Sequence, residues 1–281
     1  MKLTYYGTAA AEAFPAMFCV CESCEKARKA GGRNIRTRSQ ALINDNLLID
    51  FPADTNLHIL NYGLNLMKVK ACLITHGHDD HLYPYDFAYR TKHYGHFPND
   101  DADKEPLDVY STKQSGVRLK NFMDGEKAFK GDVNAVCYHE IEKFQKYDIA
   151  GYEVTPLRAK HAPDLDPVIY IIQKDGKSVL YAHDTGVFTD DTWEYIENSG
   201  IVFDLVSLDC TSGLNENSVT HMVFNQCIRV KERLMKKNAN DKTVFILNHF
   251  SHNGNVTYDD MVPLAAKEGF LVSYDGMTVE V

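Results

Sequence analysis

Three histidines and two aspartates stand within the six residues His76-Gly77-His78-Asp79-Asp80-His81. Imidazole and carboxylate are the side chains that hold divalent cations of the zinc and manganese class. His76 and His78 lie two residues apart and can turn toward one ion, while Asp80 and His81 can reach a second ion beside it. Gly77 lets the backbone pass close to such a site without a Cβ in the way. Paired cations about 3.5–4 Å apart can hold a hydroxide between them and screen the charge of an anionic substrate, which is hydrolytic chemistry. Near the N-terminus, Cys19, Cys21 and Cys24 form a compact trio. Thiolates favour a tetrahedral zinc site, and three are one ligand short of a closed one.

These groups need rigid elements behind them. The histidine motif follows the apolar run Val69–Ile74, which reads as a buried strand. Leu3 to Tyr6 reads as a first strand, and Gln40 to Ile43 with Leu47 to Asp50 as a hairpin across Asn44-Asp45. Asp50 either orients a metal-bound histidine from behind or caps the helix expected over Thr55–Tyr62. Tyr83 to Tyr94 is expected to be a helix. Leu107–Tyr110 and Val133–Tyr138 are expected strands, with a helix between them. Glu153 to Lys160 is a strand that leads to His161. Val168–Gln173 and Ser178–Ala182 form a hairpin whose second strand delivers Asp184. A helix over Thr189–Asn198 precedes the strand Phe203–Leu208. His221 opens a long helix reaching about Lys237, and the strand Thr243–Leu247 delivers His249. His183 alternates with Asp184 and is expected to face the other side of the sheet. His58, His93 and His96 are read as structural or solvated, and the basic stretch Arg33–Arg38 as a solvated connection.

The chain has 281 residues, enough for one large domain or two. Its 39 acidic residues outnumber the 30 basic ones, a net charge of −9. Such a balance is a poor footprint for nucleic acid, whose affinity rests on Lys and Arg, so nucleic acid is not an expected partner. No apolar run approaches a membrane span, and the N-terminus lacks the pattern of a signal peptide. The expectation is a cytoplasmic protein with no membrane partner. Seven cysteines, an odd number, argue against a disulfide framework. Cys72, Cys137, Cys210 and Cys227 sit in apolar surroundings and read as buried, inert thiols.

The run His-x-His-x-Asp-His resembles the signature of the metallo-β-lactamase fold hydrolases. That resemblance implies three further ligands downstream, each at a strand end, and His161, Asp184 and His249 stand at such places in the required order. Ligands drawn from residues 76 to 249 argue for residues 1–281 as a single domain, in which the stretch around residues 92–150 departs from the family's pattern and reads as an insertion or lid. The resemblance also implies an α/β (α+β) four-layer αββα sandwich. In it His76, His78 and His161 would hold one metal and Asp80, His81 and His249 the other, with Asp184 bridging both. Asp80 would take part in catalysis as well as in binding. His252, three residues past His249, could complete a structural Cys3His zinc site with Cys19, Cys21 and Cys24. This set, with His221 in its Thr-His-Met context, resembles the phosphoribosyl 1,2-cyclic phosphate phosphodiesterases of the carbon–phosphorus lyase pathway, and more loosely ribonuclease Z. The implied activity is hydrolysis of a small or cyclic phosphodiester by a metal-bridging hydroxide, with His221 as general acid. The implied cofactors are two active-site divalent metals (Zn, Mn or Fe) and one structural Zn. The alternatives are a ribonuclease Z-like RNA-processing nuclease and, in another class, a non-catalytic metal-binding protein. The sequence leaves a homodimer open.

Overall fold

The computed structural model describes residues 1–91, 94–96, 106–130, 135–216 and 220–281, with the backbone alone over 127–130. The first half of the chain contains β1 (Lys2–Gly7), α1 (Glu22–Ala30), β2 (Gln40–Ile43), β3 (Leu47–Ile49), α2 (Thr55–Tyr62) and β4 (Ala71–Leu73). It continues through β5 (Leu107–Ser111), α3 (Val117–Lys130) and β6 (Val136–Glu140). The second half contains β7 (Tyr147–Ile149), β8 (Tyr152–Arg158), β9 (Val168–Lys174), β10 (Lys177–Ala182), α4 (Asp190–Asn198) and β11 (Leu205–Asp209). Then come α5 (Phe224–Leu234), β12 (Val244–Asn248), α6 (Tyr258–Lys267), β13 (Leu271–Val272) and β14 (Met277–Glu280).

Among the described residues these strands form two seven-stranded sheets, in the orders β14-β1-β2-β3-β4-β5-β6 and β13-β12-β11-β10-β9-β8-β7. The sheets repeat one plan. From β14 to β3 and from β7 to β10 the neighbours are antiparallel; from β3 to β6 and from β10 to β13 they are parallel. Strand periodicity sorts the side chains into layers. Leu47 and Ile49 of β3 face a core shared with Val154, Tyr170, Ile172 and Val179 of the other sheet. Leu48, between them, turns outward to a core with Phe87 and with Leu119 of α3. The far face of the second sheet is covered by Trp193 and Ile196 of α4, Cys227 and Val230 of α5, and Met261 and Ala265 of α6. The result is the expected αββα sandwich. Among the described residues no helix is long and apolar enough to cross a membrane.

Three local readings differ from expectation. The helix expected over Tyr83–Tyr94 is a 3-10 helix, Pro84–Arg90. Pro84, Phe87 and Ala88 are its buried residues, and the Thr91 N–H donates to the Ala88 carbonyl, an i to i+3 bond of the tighter 3-10 form. His221 lies three residues before α5 instead of inside it, because Met222 N–H donates to Asp209 Oδ1 at 3.1 Å and holds the chain out of the helix. Of the stretch 92–150, residues 92–93, 97–105 and 131–134 lie outside the described residues. The rest supplies β5, α3, β6 and β7, which complete one side of both sheets instead of standing apart from them.

Candidate metal centre

The parallel strands β3 and β4 end at the same edge of the sandwich as β10, β11 and β12. Asp50 follows β3, and Thr75 with the histidine motif follows β4. Asp184 follows β10, Asp209 closes β11 and His249 follows β12. β8 runs the same way and leads to His161. Asp50, Asp184 and His249 have φ of 64°, 53° and 63°, left-handed values that are uncommon outside glycine. There the chain leaves each strand sharply and turns the side chain over the sheet edge. Gly77 is required for a different reason. A Cβ there would come within 3.0 Å of the Ser115 carbonyl, just ahead of α3.

The ligating atoms of His76, His78, His161 and Asp184 lie within 4.8 Å of one another, and so do those of Asp80, His81, Asp184 and His249. Asp184 belongs to both groups, and to a third with Asp209, His221 and His249. Its Oδ2 is 3.1 Å from His76 Nε2 and 3.2 Å from His81 Nε2. Its Oδ1 is 3.4 Å from His161 Nδ1. His76 Nε2 approaches His78 Nδ1 at 2.8 Å, and His81 Nε2 approaches His249 Nε2 at 3.2 Å.

Groups behind the rings settle which nitrogen faces the centre. His81 Nδ1 is 2.7 Å from Asp50 Oδ2, and Asp50 is itself held by Thr75 N–H at 2.8 Å. Asp50 therefore orients a histidine. It does not cap α2, where Asp54 precedes the helix and pairs with Arg38. His249 Nδ1 meets Thr211 Oγ1 at 2.8 Å. With both Nδ1 atoms engaged outward, the Nε2 atoms of His81 and His249 face each other across 3.2 Å. His161 Nδ1 and Asp184 Oδ1 are buried with no hydrogen-bond partner. Buried polar atoms without partners are costly alone, and a converging imidazole and carboxylate set fits a pair of divalent cations.

Burial pulls the His161 imidazole down to about 4 and lowers His249 as well, so both are neutral and able to ligate. Burial would raise Asp184, but the neighbouring His249 and His76, with hydrogen bonds from His76 and His81, hold it well below the carboxylate range. His221 differs. Burial opposes its charge, but Asp209 and then Asp184 carry it up to about 9. Its Nδ1 is 3.3 Å from Asp209 Oδ2 and 3.2 Å from Asp184 Oδ1. Sequence reasoning missed Asp209 and Thr211. The available signal was that Asp209 ends an apolar strand, as Asp184 does.

His78, Asp80, His161, Asp184, His221 and His249 line a cavity of 400 Å³, with Glu12 and Asn215 also on its wall. No Lys or Arg among the described residues lines it. The basic stretch is occupied elsewhere. Arg33 stacks on Tyr274, and Arg36 is fully buried, not solvated, donating to Thr8 Oγ1 and the Ser273 carbonyl. His183 is buried on the other face, against Ser207 and Asn248. His96 is exposed, and His93 lies outside the described residues.

A second cluster sits beside the cavity. Cys21 precedes α1, Cys24 lies within it, and the ligating atoms of Cys19, Cys21, Cys24 and His252 are all within 4.8 Å of one another. Cys19 Sγ and Cys21 Sγ are 3.3 and 3.5 Å from His252 Nδ1. Burial resists ionisation of Cys21, but the His252 and Cys24 hydrogen bonds bring its thiol down to about 6. His252 Nε2 is 3.6 Å from Glu12 Oε1, and Glu12 also accepts a hydrogen bond from Ser251, so this cluster reaches the cavity wall.

The model of the β-lactamase superfamily domain matches residues 49–250. No curated protein matches the chain in sequence. Among solved structures, a diphosphatase of the PhnP family superposes with a TM-score of 0.75 at 19% identity, covering 100% of this chain and 96% of that one. Zinc-bound PqqB from Methylobacterium extorquens superposes at 0.71 with 16% identity, covering 100% of both chains. The short form of human tRNase Z superposes at 0.65 with 15% identity, covering 100% of this chain and 99% of that one. At these identities the likeness is one of fold.

Proposed function

Because this chain belongs to the β-lactamase superfamily, with a match across residues 49–250, we propose that it is a dinuclear metal-dependent phosphodiesterase acting on a small or cyclic phosphodiester. The observation that carries this reading is the position of Asp184, common to all three four-residue groups that meet at one strand-end edge. In it His76, His78 and His161 would hold one ion, Asp80, His81 and His249 the other, with Asp184 shared between them. When bound, Zn, Mn or Fe ions supply Lewis acidity toward the phosphoryl oxygens and bring a water toward a pKa near ~7.

The chain's own groups do the rest. Asp50 and Thr211 fix His81 and His249 from behind. Asp80, held low by the neighbouring His81 charge against its burial, stays an anion across the neutral range. His221, kept protonated by Asp209, faces the cavity and can give a proton to the leaving oxygen. Cys19, Cys21, Cys24 and His252 hold a structural zinc that fixes the N-terminal segment beside the cavity. The candidate ligands span residues 76 to 249 and draw on both sheets, so residues 1–281 act as one domain.

A nuclease acting on RNA ends is the second reading, favoured by the shared fold with tRNase Z. The net charge of −9 and the absence of Lys or Arg from the cavity wall, among the described residues, weigh against it. The test is a panel of bis-p-nitrophenyl phosphate, a cyclic ribose phosphate, a cyclic nucleotide, pre-tRNA and a thioester, run beside elemental analysis. Cleavage of the small diesters, abolished by chelation and restored by Zn or Mn, is expected. Cleavage of pre-tRNA alone, or of the thioester alone, overturns the proposal.

A further inference from the structure

Cys137 is not the buried, isolated thiol that its apolar neighbours suggest; it is half-exposed and has polar company. β5 and β6 are parallel, with Asp108 opposite Cys137 and Tyr110 opposite His139. Cys137 and His139 are two residues apart, so both side chains leave the edge strand β6 on the face that Asp108 shares. His139 Nε2 is 2.7 Å from Asp108 Oδ1. The Tyr110 ring lies along the imidazole at a centroid distance of 4.6 Å and an angle of 17°, which fixes the ring plane. The thiol, imidazole and carboxylate ligating atoms are within 4.8 Å of one another.

We propose that Asp108, Cys137 and His139 form a third, exchangeable metal site that takes a zinc-class divalent ion. Two ligands at alternate positions of one strand and a third from its neighbour form a tripod with one open position. A thiolate and an imidazole exclude magnesium and calcium, which require oxygen ligands, and favour zinc. The site is distinct from the strand-end centre. Asp108 pairs with Ala71, the first residue of β4, whereas the histidine motif follows that strand's last residue. All three ligands are half-exposed, so the ion exchanges with solvent and occupancy follows free zinc. An ion bound here ties the edge strand β6 to β5.

The test uses the full chain, dialysed to equilibrium against micromolar free zinc, with bound metal read as the difference across the membrane. Wild type is expected to retain one zinc per chain more than Cys137→Ser or His139→Asn. Equal zinc in wild type and both variants overturns the site. If neither variant folds, the wild type decides alone through alkylation of Cys137, read by peptide mapping. Zinc is expected to slow that alkylation about tenfold, since a bound thiolate is shielded from the reagent. An unchanged rate overturns the site. Neither readout depends on turnover, so failure here and failure of the phosphodiesterase reading are separable.

Discussion

At the scale of single residues, Asp184 and His221 stand a few ångströms apart and are assigned different tasks. Asp184 is common to both ligand groups. Asp184→Ala is expected to cost the protein at least one active-site metal by elemental analysis, and a fully loaded, active variant would rule out the shared role. His221 makes its shortest contacts to carboxylates through one nitrogen. His221→Ala is expected to lower kcat by about 10²–10⁴-fold, the usual contribution of a positioned acid, with metal content unchanged. Parallel loss of metal would place it among the ligands. His58 carries a pH prediction. Its nitrogens meet Gln40 Oε1 at 2.6 Å and Thr37 Oγ1 at 2.8 Å, and burial lowers its pKa to about 4, against a raising contribution from Asp54. The folded state therefore prefers neutral His58. This contribution is complete above the unfolded value of ~6.5 and is lost as the pH falls through about 4. Denaturant titrations at pH 7 and pH 4 should show wild type losing about 3 kcal/mol more than His58→Gln. Equal losses would mean that His58 is not the group responsible.

At the scale of elements, α1 is a short helix with a polar outer face, and only Cys24 and Ala27 of it are buried. Helices of this length are marginal in water without tertiary support. Ala9, Phe14, Ala16, Cys24 and Ala27 make only a small core of their own. A zinc held by Cys19, Cys21, Cys24 and His252 would join α1 to the turn after β12. Cys21→Ser is therefore expected to release one zinc and lower the melting temperature, as loss of a structural ion does. Unchanged zinc and unchanged melting would remove the ion from this cluster. Because Glu12 contacts both His252 and Ser251, loosening of this segment should also reach the cavity wall.

At the scale of the molecule, the candidate ligands come from both sheets, so the sheets must keep their relative position. Two bonds do this next to the motif. Tyr170 of β9 donates to the carbonyl of Ile74 at 2.6 Å, and Val168 N–H donates to the carbonyl of Thr75 at 2.9 Å. Tyr170→Phe leaves a fully buried carbonyl with one partner fewer. The expected loss is about 1–3 kcal/mol in denaturant unfolding, with weaker metal retention. A variant as stable and as well loaded as wild type would show that packing alone holds the sheets in place.

Much of this was legible before any coordinates. Short apolar runs bounded by turns located β1 to β6, β8 to β12 and the strand ends, because strands covered on both faces are buried at successive positions. The unusual density of His and Asp after β4 singled out the centre. The spacing of Cys19, Cys21 and Cys24 singled out the second cluster. Other features were decided only by tertiary structure, since each depends on strands far apart in the chain. Asp50 had two equal readings until β3 and β4 were seen side by side. Asp209 and Thr211 looked like the end of any strand until β11 was placed next to β12. Cys137 looked inert until β5 set Asp108 beside it. The 3-10 form of Pro84–Arg90 and the release of His221 from α5 depend on contacts that local propensity does not contain. A sequence determines which residues can ligate and which faces are apolar. Which ligands meet depends on strand order and on the edge at which parallel strands end, and those are properties of the assembled sheets.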